Sequence, residues 1–236
     1  MKLQTIQLKE YFDKINYNWE KDLSSLRTIC HFTKTRVKPA MEQFTMLLGN
    51  EQPFLLKAVA EFYNVTSFFE IGTGRGTACY SLSLIPSVEA INTIDIIPFK
   101  QKQNTAIGFR PATVSNEDIY NMIPFPEKEK ILFFHRSQVP FLKKTISSVE
   151  MSFIDGNHSD PDVIMQDFDI CHNLTKPGGL IIFDDYHPAR FAVKMVVDHI
   201  LENEEFEEAT LVPFHGHLFD QENKHLSDGV VILKKK

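Results

Sequence analysis

From residue 67 onward the sequence repeats one pattern, in which a short apolar run is followed by a stretch with helical spacing. The five clearest runs occupy residues 67–71, 90–96, 131–134, 151–155 and 180–184. Strands that alternate with helices favour parallel pairing, because each helix carries the chain back to the start of the next strand. Runs that are apolar throughout are typical of strands covered on both faces. The pattern therefore predicts an α/β fold with a doubly wound, mostly parallel sheet.

Helices and two late strands complete this prediction. The predicted helices cover residues 51–63, 139–147, 161–174 and 189–202, with another that ends near Leu84; the late strands cover 208–213 and 229–233. Asn50 is a plausible N-cap for the helix that begins at residue 51. Between Tyr11 and Leu26, apolar residues recur at three- and four-residue steps, which indicates an amphipathic helix. We therefore divide the chain into an N-terminal helical extension, residues 1–50, and a main domain, residues 51–236.

Composition narrows the classes of function. Apolar residues make up 43% of the chain, and the net charge of -6 argues against binding to nucleic acid through phosphate contacts. No apolar stretch approaches the roughly 18 residues of a membrane span, and the N-terminus lacks the apolar region of a secretory signal. Cys30, Cys79 and Cys171 form no C-x-x-C pair and are interpreted as reduced, buried thiols. We expect a cytoplasmic protein without nucleic-acid or membrane partners.

A glycine loop directly follows the first strand of the repeating pattern. Gly72, Gly74 and Gly76 lie within five residues, and the first such loop of a parallel sheet is the usual place for a ligand. Thr77 stands where the dinucleotide pattern G-x-G-x-x-G has its third glycine. Glu70 would repel a pyrophosphate but attract a ligand that carries ammonium and sulfonium charges. These features favour S-adenosylmethionine (SAM) over a dinucleotide.

Asp95, at the end of the second strand, could accept hydrogen bonds from a ribose diol. This feature does not discriminate between ligands, because dinucleotide-binding folds use an acid in the same way. Two alternatives stay open for the glycine loop. One is a structural turn with a helix-capping acid, and the other is a nicotinamide or flavin site.

The segments FFEIGTGRGT, TIDI and KPGGLIIFDD together resemble the class I SAM-dependent methyltransferases over residues 51–236. This resemblance implies a Rossmann-like sheet of seven strands, one of them antiparallel, with SAM across the ends of the first two strands. Carried over by position, it places the methionine part of SAM on the glycine loop, its ribose at Asp95 and its adenine near residues 137–138. The implied cofactor-binding residues are Glu70, Gly72, Thr73, Gly74, Gly76, Thr77, Asp95, Ile96, Ser137, Gln138 and Asp155.

Carboxylates also follow the fourth and fifth strands of the pattern. Asp155 ends the fourth, and Asp184 and Asp185 end the fifth. Because three uncompensated carboxylates in one cleft would repel each other, we predict that they bind a divalent cation. Oxygen ligands favour Mg²⁺, with Mn²⁺ or Ca²⁺ as substitutes. The alternatives are that Asp160 or Asp185 caps a helix, or that the acid after the fourth strand works without a metal.

This acidic spacing is similar to that of the metal-dependent O-methyltransferases, the branch of catechol, caffeoyl-CoA and macrolide-sugar enzymes. The catechol type has a catalytic Lys three residues after the first Asp, where this chain has His158; the sugar type has an Asp two residues after it, where this chain has Asn157. An imidazole is a suitable base at neutral pH, so His158 and Asp155 are the predicted catalytic residues. His158 has an alternative role as a helix cap or as a partner of Asp185. His187 is a second candidate for the base, whereas His215 and His217 are expected in a loop at the rim.

The function predicted from these features is transfer of a methyl group from SAM to a hydroxyl of a small polyhydroxylated molecule, such as a sugar or a catechol-like metabolite. The alternatives are a metal-independent methyltransferase acting on nitrogen or oxygen, a non-catalytic SAM-binding protein, and a nicotinamide oxidoreductase. The oligomeric state stays open, with a homo-oligomer among the alternatives.

Overall fold

A computed structural model of the protein describes residues 2–33, 51–105, 112–187, 191–214 and 229–236. The strands of these segments are β1 (Gln4–Thr5), β2 (Ser67–Ile71), β3 (Ala90–Asp95), β4 (Gln103–Thr105), β5 (Ala112–Val114), β6 (Ile131–His135), β7 (Val149–Ile154), β8 (Thr175–Phe183), β9 (Phe206–Pro213) and β10 (Gly229–Lys235). The α-helices are α1 (Leu8–Lys14), α2 (Leu23–Thr33), α3 (Gln52–Phe62), α4 (Thr77–Ser83), α5 (Asn116–Met122), α6 (Leu142–Thr145), α7 (Pro161–Leu174) and α8 (Phe191–Asn203). Short 3-10 helices cover Trp19–Asp22, Pro126–Lys130 and Arg136–Phe141.

Eight strands form one sheet in the order β1-β9-β10-β8-β7-β2-β3-β6, and β4 pairs with β5 in a separate hairpin. Among the described strands of the main sheet, only β10 runs antiparallel to its neighbours. The predicted α/β, Rossmann-like, mostly parallel sheet is therefore confirmed, together with its single antiparallel strand. The eighth strand is β1, which pairs with Thr210 and Leu211 of β9. Two residues are too short to produce an alternating pattern, so the prediction of seven strands missed it.

The sheet separates two apolar cores, as expected for a doubly wound fold. On β2, Phe68 belongs to one core and Phe69 to the other, because successive side chains of a strand point to opposite faces. Helices α1 to α5 supply residues to the first core, and helices α6 to α8 to the second. Cys30, Cys79 and Cys171 are buried and free, as predicted.

The predicted helices agree with the structure where capping and apolar spacing are clear. Helix α7 has the predicted bounds, and Asp160 is its N-cap. The segment predicted as a helix at 139–147 is instead a 3-10 turn followed by the four-residue α6, because Pro140 lacks the N–H that a continuous helix needs. Asn50, the predicted cap of α3, lies outside the described residues. None of the helices in the described segments has the length and apolar character needed to cross a membrane.

Backbone hydrogen bonds align the ends of the four central parallel strands at one edge of the sheet. The Gly72 N–H donates to Ile94 at the end of β3, at 2.8 Å. The Asp155 N–H donates to Ile71 at the end of β2, at 2.8 Å, and the Asp184 N–H donates to Ile154 at the end of β7, at 3.1 Å. The loops that follow β2, β3, β7 and β8 therefore start side by side. We call this the carboxyl edge of the sheet.

Candidate active site at the carboxyl edge of the sheet

The backbone of the glycine loop, residues 72–76, packs directly against the backbone that follows β7. Gly72 has φ +100°, and a Cβ atom there would lie 2.0 Å from the carbonyl oxygen of Asp155. Gly76 has φ +79° and precedes the first residue of α4. Both positions need backbone angles that favour glycine. The loop can therefore follow β2 while it packs against the end of β7.

Glu70 lies beneath the glycine loop, with 1% of its surface exposed. Its carboxylate accepts hydrogen bonds from the thiol of Cys79 and the hydroxyl of Thr93. The Thr93 hydroxyl also lies 2.6 Å from the hydroxyl of Thr73 in the loop. Burial raises the pKa of Glu70 to about 7, although the two hydrogen bonds act in the opposite direction. The carboxyl group thus supports the loop from inside, and the charge that the sequence suggested for it is only partly developed at neutral pH.

Asp95 joins the end of β3 to the glycine loop. Its Oδ2 accepts a hydrogen bond from the Gly74 N–H at 2.8 Å, and its Oδ1 accepts one from the Ile97 N–H at 2.9 Å. Each carboxylate oxygen retains a further lone pair, so the group can still accept hydrogen bonds from a ligand. Ile96, directly after Asp95, is 73% exposed. An acid and an exposed apolar side chain therefore stand together at this strand end.

The turn after β6 meets the turn after β3 through His135, a residue that the sequence analysis did not select. Its Nε2 lies 3.0 Å from the carbonyl oxygen of Ile96, and its Nδ1 lies 2.8 Å from the Ser137 hydroxyl. The His135 N–H donates to Oε1 of Gln138 at 2.7 Å. Ser137 and Gln138 thus lie beside Asp95 and Ile96, and their role in binding adenine stays a prediction. His135 could have been found from the sequence, because it is a polar residue at the carboxyl end of a predicted strand, β6.

Helix α2 ends against the other side of the glycine loop. The Thr77 hydroxyl donates to the Thr33 hydroxyl at 3.1 Å, and the Arg75 guanidinium donates to the Thr33 carbonyl at 3.3 Å. Thr77 is the first residue of α4, so its side chain is used in this contact between helices. The N-terminal segment of the chain therefore forms one wall of the loop.

A carboxylate–imidazole cluster, Asp155, His158 and Asp185, forms where the loops after β7 and β8 meet. These residues offer donor atoms that all lie within 4.8 Å of one another. The Nδ1 atom of His158 lies 2.9 Å from Oδ2 of Asp185, and its Nε2 atom lies 3.9 Å from Oδ1 of Asp155. Helix α7 is capped by Asp160 rather than by His158. Of the two alternative roles of His158, the structure shows the contact with Asp185.

Asp184 faces a different partner from its neighbour in sequence. Its Oδ2 accepts a hydrogen bond from the side-chain amide of Gln52, at the start of α3. Burial, and then the nearby charge of Asp185, raise the pKa of Asp184 to about 7. Asp185 itself has φ +58°, so the chain turns sharply between the two carboxylates. Asp184 therefore lies next to the cluster but outside its set of closest donors.

The predicted site residues thus fall into neighbouring groups along one edge. The glycine loop with Asp95, Ile96, Ser137 and Gln138 forms one part, and Asp155 links it to the cluster through the close approach of Gly72. Glu70 supports the loop from below. His187 follows β8 within the described residues, whereas His215 and His217 lie outside them.

The chain matches one family profile, one relative by sequence and several solved structures. A family profile described as "Methyltransferase domain" matches residues 69–186, which hold the glycine loop and the cluster. A protein of Acanthamoeba polyphaga mimivirus described as uncharacterized protein R132 is 28% identical over 134 residues. That alignment covers 55% of this chain and 56% of the viral protein, so the chain spans just over half the length of this relative.

Several solved structures share the fold. The O-methyltransferase TomG of Streptomyces achromogenes, involved in tomaymycin synthesis and solved with SAM, is 16% identical with a TM-score of 0.57, covering 96% of this chain and 95% of that one. An O-methyltransferase of Bacillus cereus solved with SAH is 13% identical with a TM-score of 0.54, covering 92% and 90%. A putative caffeoyl-CoA O-methyltransferase of Staphylococcus aureus is 17% identical with a TM-score of 0.54, covering 96% and 97%. At these identities the similarity shows the fold alone.

Proposed function

The chain belongs to the methyltransferase domain family, and on that premise we propose that it is a SAM-dependent O-methyltransferase that uses a divalent metal ion. Its acceptor would be a hydroxyl of a small polyhydroxylated molecule, such as a sugar or a catechol-like metabolite. One observation carries this proposal: the glycine loop and the carboxylate–imidazole cluster share the carboxyl edge of the sheet, joined by the packing of Gly72 on Asp155. A methyl donor and an activated hydroxyl need that proximity.

The residues around the glycine loop fit SAM. Asp95 has lone pairs left for ribose hydroxyls, and Ile96 offers an exposed apolar surface beside Ser137 and Gln138 for an adenine ring. Backbone of the glycine loop can approach the methionine portion closely, since no side chain intervenes at residues 72, 74 and 76. When bound, SAM supplies an electrophilic methyl group on a sulfonium.

The donor set of the cluster fits a divalent cation. Asp155 and Asp185 supply carboxylate oxygens within reach of one ion, and Asp184 is the next carboxylate along the chain. Oxygen donors favour Mg²⁺, and Mn²⁺ or Ca²⁺ can substitute. When bound, such an ion would supply Lewis-acid charge that lowers the pKa of an acceptor hydroxyl. We therefore propose Asp155 and Asp185 of the cluster as metal ligands, with Asp184, which accepts a hydrogen bond from Gln52, as the third.

The residues of the cluster would also orient the acceptor and move its proton. We propose an imidazole as the base, with His158 as the first candidate and His187 as the second. Base catalysis of this kind contributes about 10²- to 10⁴-fold to a rate. Holding the hydroxyl in line with the methyl group contributes roughly 7–11 kcal/mol. Positioning of the acceptor would therefore lower the barrier more than base catalysis does.

A metal-independent methyltransferase is the second candidate, and one observation favours it. Residues His158 and Asp185 already approach to 2.9 Å, so a protonated imidazole could compensate the carboxylate charge without an ion. The family match favours either candidate over a nicotinamide oxidoreductase.

Binding and turnover separate these proposals. We expect SAM to raise the melting temperature of the protein by mass action and NADH to leave it unchanged. We also expect methyl transfer from labelled SAM to a panel of catechols and sugars that is lost in EDTA and restored by Mg²⁺ or Mn²⁺. The substitution Asp184→Ala should abolish the metal-dependent turnover and leave SAM affinity within about threefold, with the exposed Asp162→Ala as its matched control. Turnover unaffected by EDTA would favour the second candidate, and failure to bind SAM would remove both.

A further inference from the structure

We propose that Asp185 is the positioning residue of the catalytic base: its carboxylate holds the hydrogen of His158 on Nδ1 and thereby leaves Nε2 as the proton acceptor. This inference rests on the proposed function, since it assigns a role within the same site. It adds to the metal-ligand role of Asp185, because a carboxylate has two oxygens. It takes His158, the first candidate for the base, as the residue that is positioned.

The distances around the imidazole distinguish its two nitrogens. Nδ1 lies 2.9 Å from Oδ2 of Asp185, a normal hydrogen-bond length, whereas Nε2 lies 3.9 Å from Oδ1 of Asp155, which is too long for one. A carboxylate only accepts hydrogen bonds, so the atom that faces it must carry the hydrogen when the ring is neutral. Nε2 is then the nitrogen with the lone pair.

Burial agrees with this division of roles. The side chain of Asp185 is 13% exposed and that of His158 is 38% exposed. The carboxylate is therefore the fixed partner, and the imidazole is the partner that a substrate can reach. A more buried orienting acid behind a more accessible base is a recurring arrangement in sites where an imidazole acts as the general base.

The backbone of Asp185 supplies an independent observation. In the described part of the chain, positive φ at non-glycine residues occurs at Asn16, Asn64 and Asp185. The two asparagines follow the ends of α1 and α3, where a left-handed residue commonly terminates a helix. Asp185 instead follows strand β8, so no helix end explains its conformation. The turn directs its carboxylate to His158, while Asp184 accepts a hydrogen bond from Gln52.

The proposed step balances. A lone pair of the acceptor oxygen forms the new O–CH₃ bond, and the electron pair of the breaking S–CH₃ bond stays on sulfur, which becomes a neutral thioether. The hydroxyl proton moves to Nε2 of His158. The resulting imidazolium keeps its Nδ1–H on Asp185, whose negative charge stabilises it.

The tautomer of His158 tests this assignment directly by nitrogen NMR. The protein is labelled with ¹⁵N and studied without SAM, metal or acceptor at about pH 8.5, with His158→Gln used to assign the signals. We expect the wild-type ring to be predominantly Nδ1–H, and Asp185→Gly to shift it to the Nε2–H form that free histidine favours. Glycine tolerates the positive φ at residue 185, so this substitution removes the carboxylate without adding backbone strain. Asp184→Asn is the matched control and should leave the tautomer unchanged.

Two results would overturn the proposal: a wild-type ring that is mainly Nε2–H, or an Asp185→Gly ring with the wild-type tautomer. If Asp185→Gly does not fold, the wild-type spectrum alone still decides. Because the measurement needs neither cofactor nor acceptor, its failure is distinct from failure of the proposed function.

Discussion

At residue 72 the structure has no space for one additional carbon atom. A Cβ there would meet backbone of Asp155 at 2.0 Å, and φ is +100°. We expect Gly72→Ala to lower the free energy of unfolding by about 3 kcal/mol, the sum of left-handed strain and displacement of the β7 loop. Urea denaturation measures this change. SAM affinity should fall with it, because the glycine loop and the Asp155 loop move apart.

Gly74 is the matched control for this substitution. Its φ of +51° also favours glycine, but an added Cβ would meet no atom within 4 Å. Gly74→Ala should therefore cost only about 1 kcal/mol, the strain alone. Equal losses for the two variants would mean that the packing of residue 72 on Asp155 contributes little.

The positions of the individual site residues along the strands were predictable, but the contacts of their side chains were not. Asp155, Asp185 and His158 were found because the carboxyl ends of parallel strands share one edge, and the structure brings them within 4.8 Å. The contact of His158 with Asp185 was foreseen only as one of two alternatives to a role as the base, since it depends on the φ of Asp185. For Glu70, the sequence could not show that Cys79 and Thr93 would bind its carboxylate beneath the loop.

Among the elements, helix α7 follows the loop of the cluster and packs in the second core. The backbone N–H groups of its first turn are capped by the side chain of Asp160. Oδ1 of Asp160 accepts hydrogen bonds from the N–H groups of Asp162 and Val163. Asp160→Ala should lower the free energy of unfolding by about 1 kcal/mol. Thermal or urea unfolding measures the loss.

Asp162→Ala provides the comparison for this cap. Asp162 lies in the same turn and interacts with the helix dipole, but it accepts none of the hydrogen bonds that define the cap. Its loss should cost only about 0.3 to 1 kcal/mol. If Asp162→Ala were the more damaging variant, the cap would not be what starts this helix.

The elements were predictable wherever a local signal was strong. Helix α7 has Pro161 in its first turn and Asp160 before it, and its bounds were correct. The strand β1 had no such signal, because its partner β9 lies some 200 residues away and pairing at that separation leaves no local pattern. The hairpin of β4 and β5 within 97–130 was missed for a related reason, since three-residue strands carry little periodicity.

For the molecule as a whole, the buried Glu70 makes stability depend on pH. Burial raises its pKa from 4.5 to about 7. Below about pH 4.5 the group is protonated in both states, and its full contribution to stability is present. Between about pH 4.5 and 7 the unfolded chain releases the proton while the folded protein retains it, so stability falls as pH rises.

The substitution Glu70→Gln should remove this dependence, because an amide does not titrate. From pH 5 to pH 8 we expect the free energy of unfolding of the wild type to fall by about 2 to 3 kcal/mol more than that of the variant. Urea denaturation at the two pH values measures the difference. Asp184 also has a raised pKa, but it is present in both proteins and cancels. Parallel pH profiles for the two proteins would show that Glu70 is not the group responsible.

The strand β10 lies between β8 and β9 in the sheet, yet it follows both along the chain. During synthesis, β8 and β9 leave the ribosome before the strand that joins them. Until residues 229–235 emerge, each has one row of N–H and C=O groups without a neighbour, and such rows pair readily with other chains. Premature termination before residue 229 would therefore release a product with two unpaired strand edges, which is prone to aggregation.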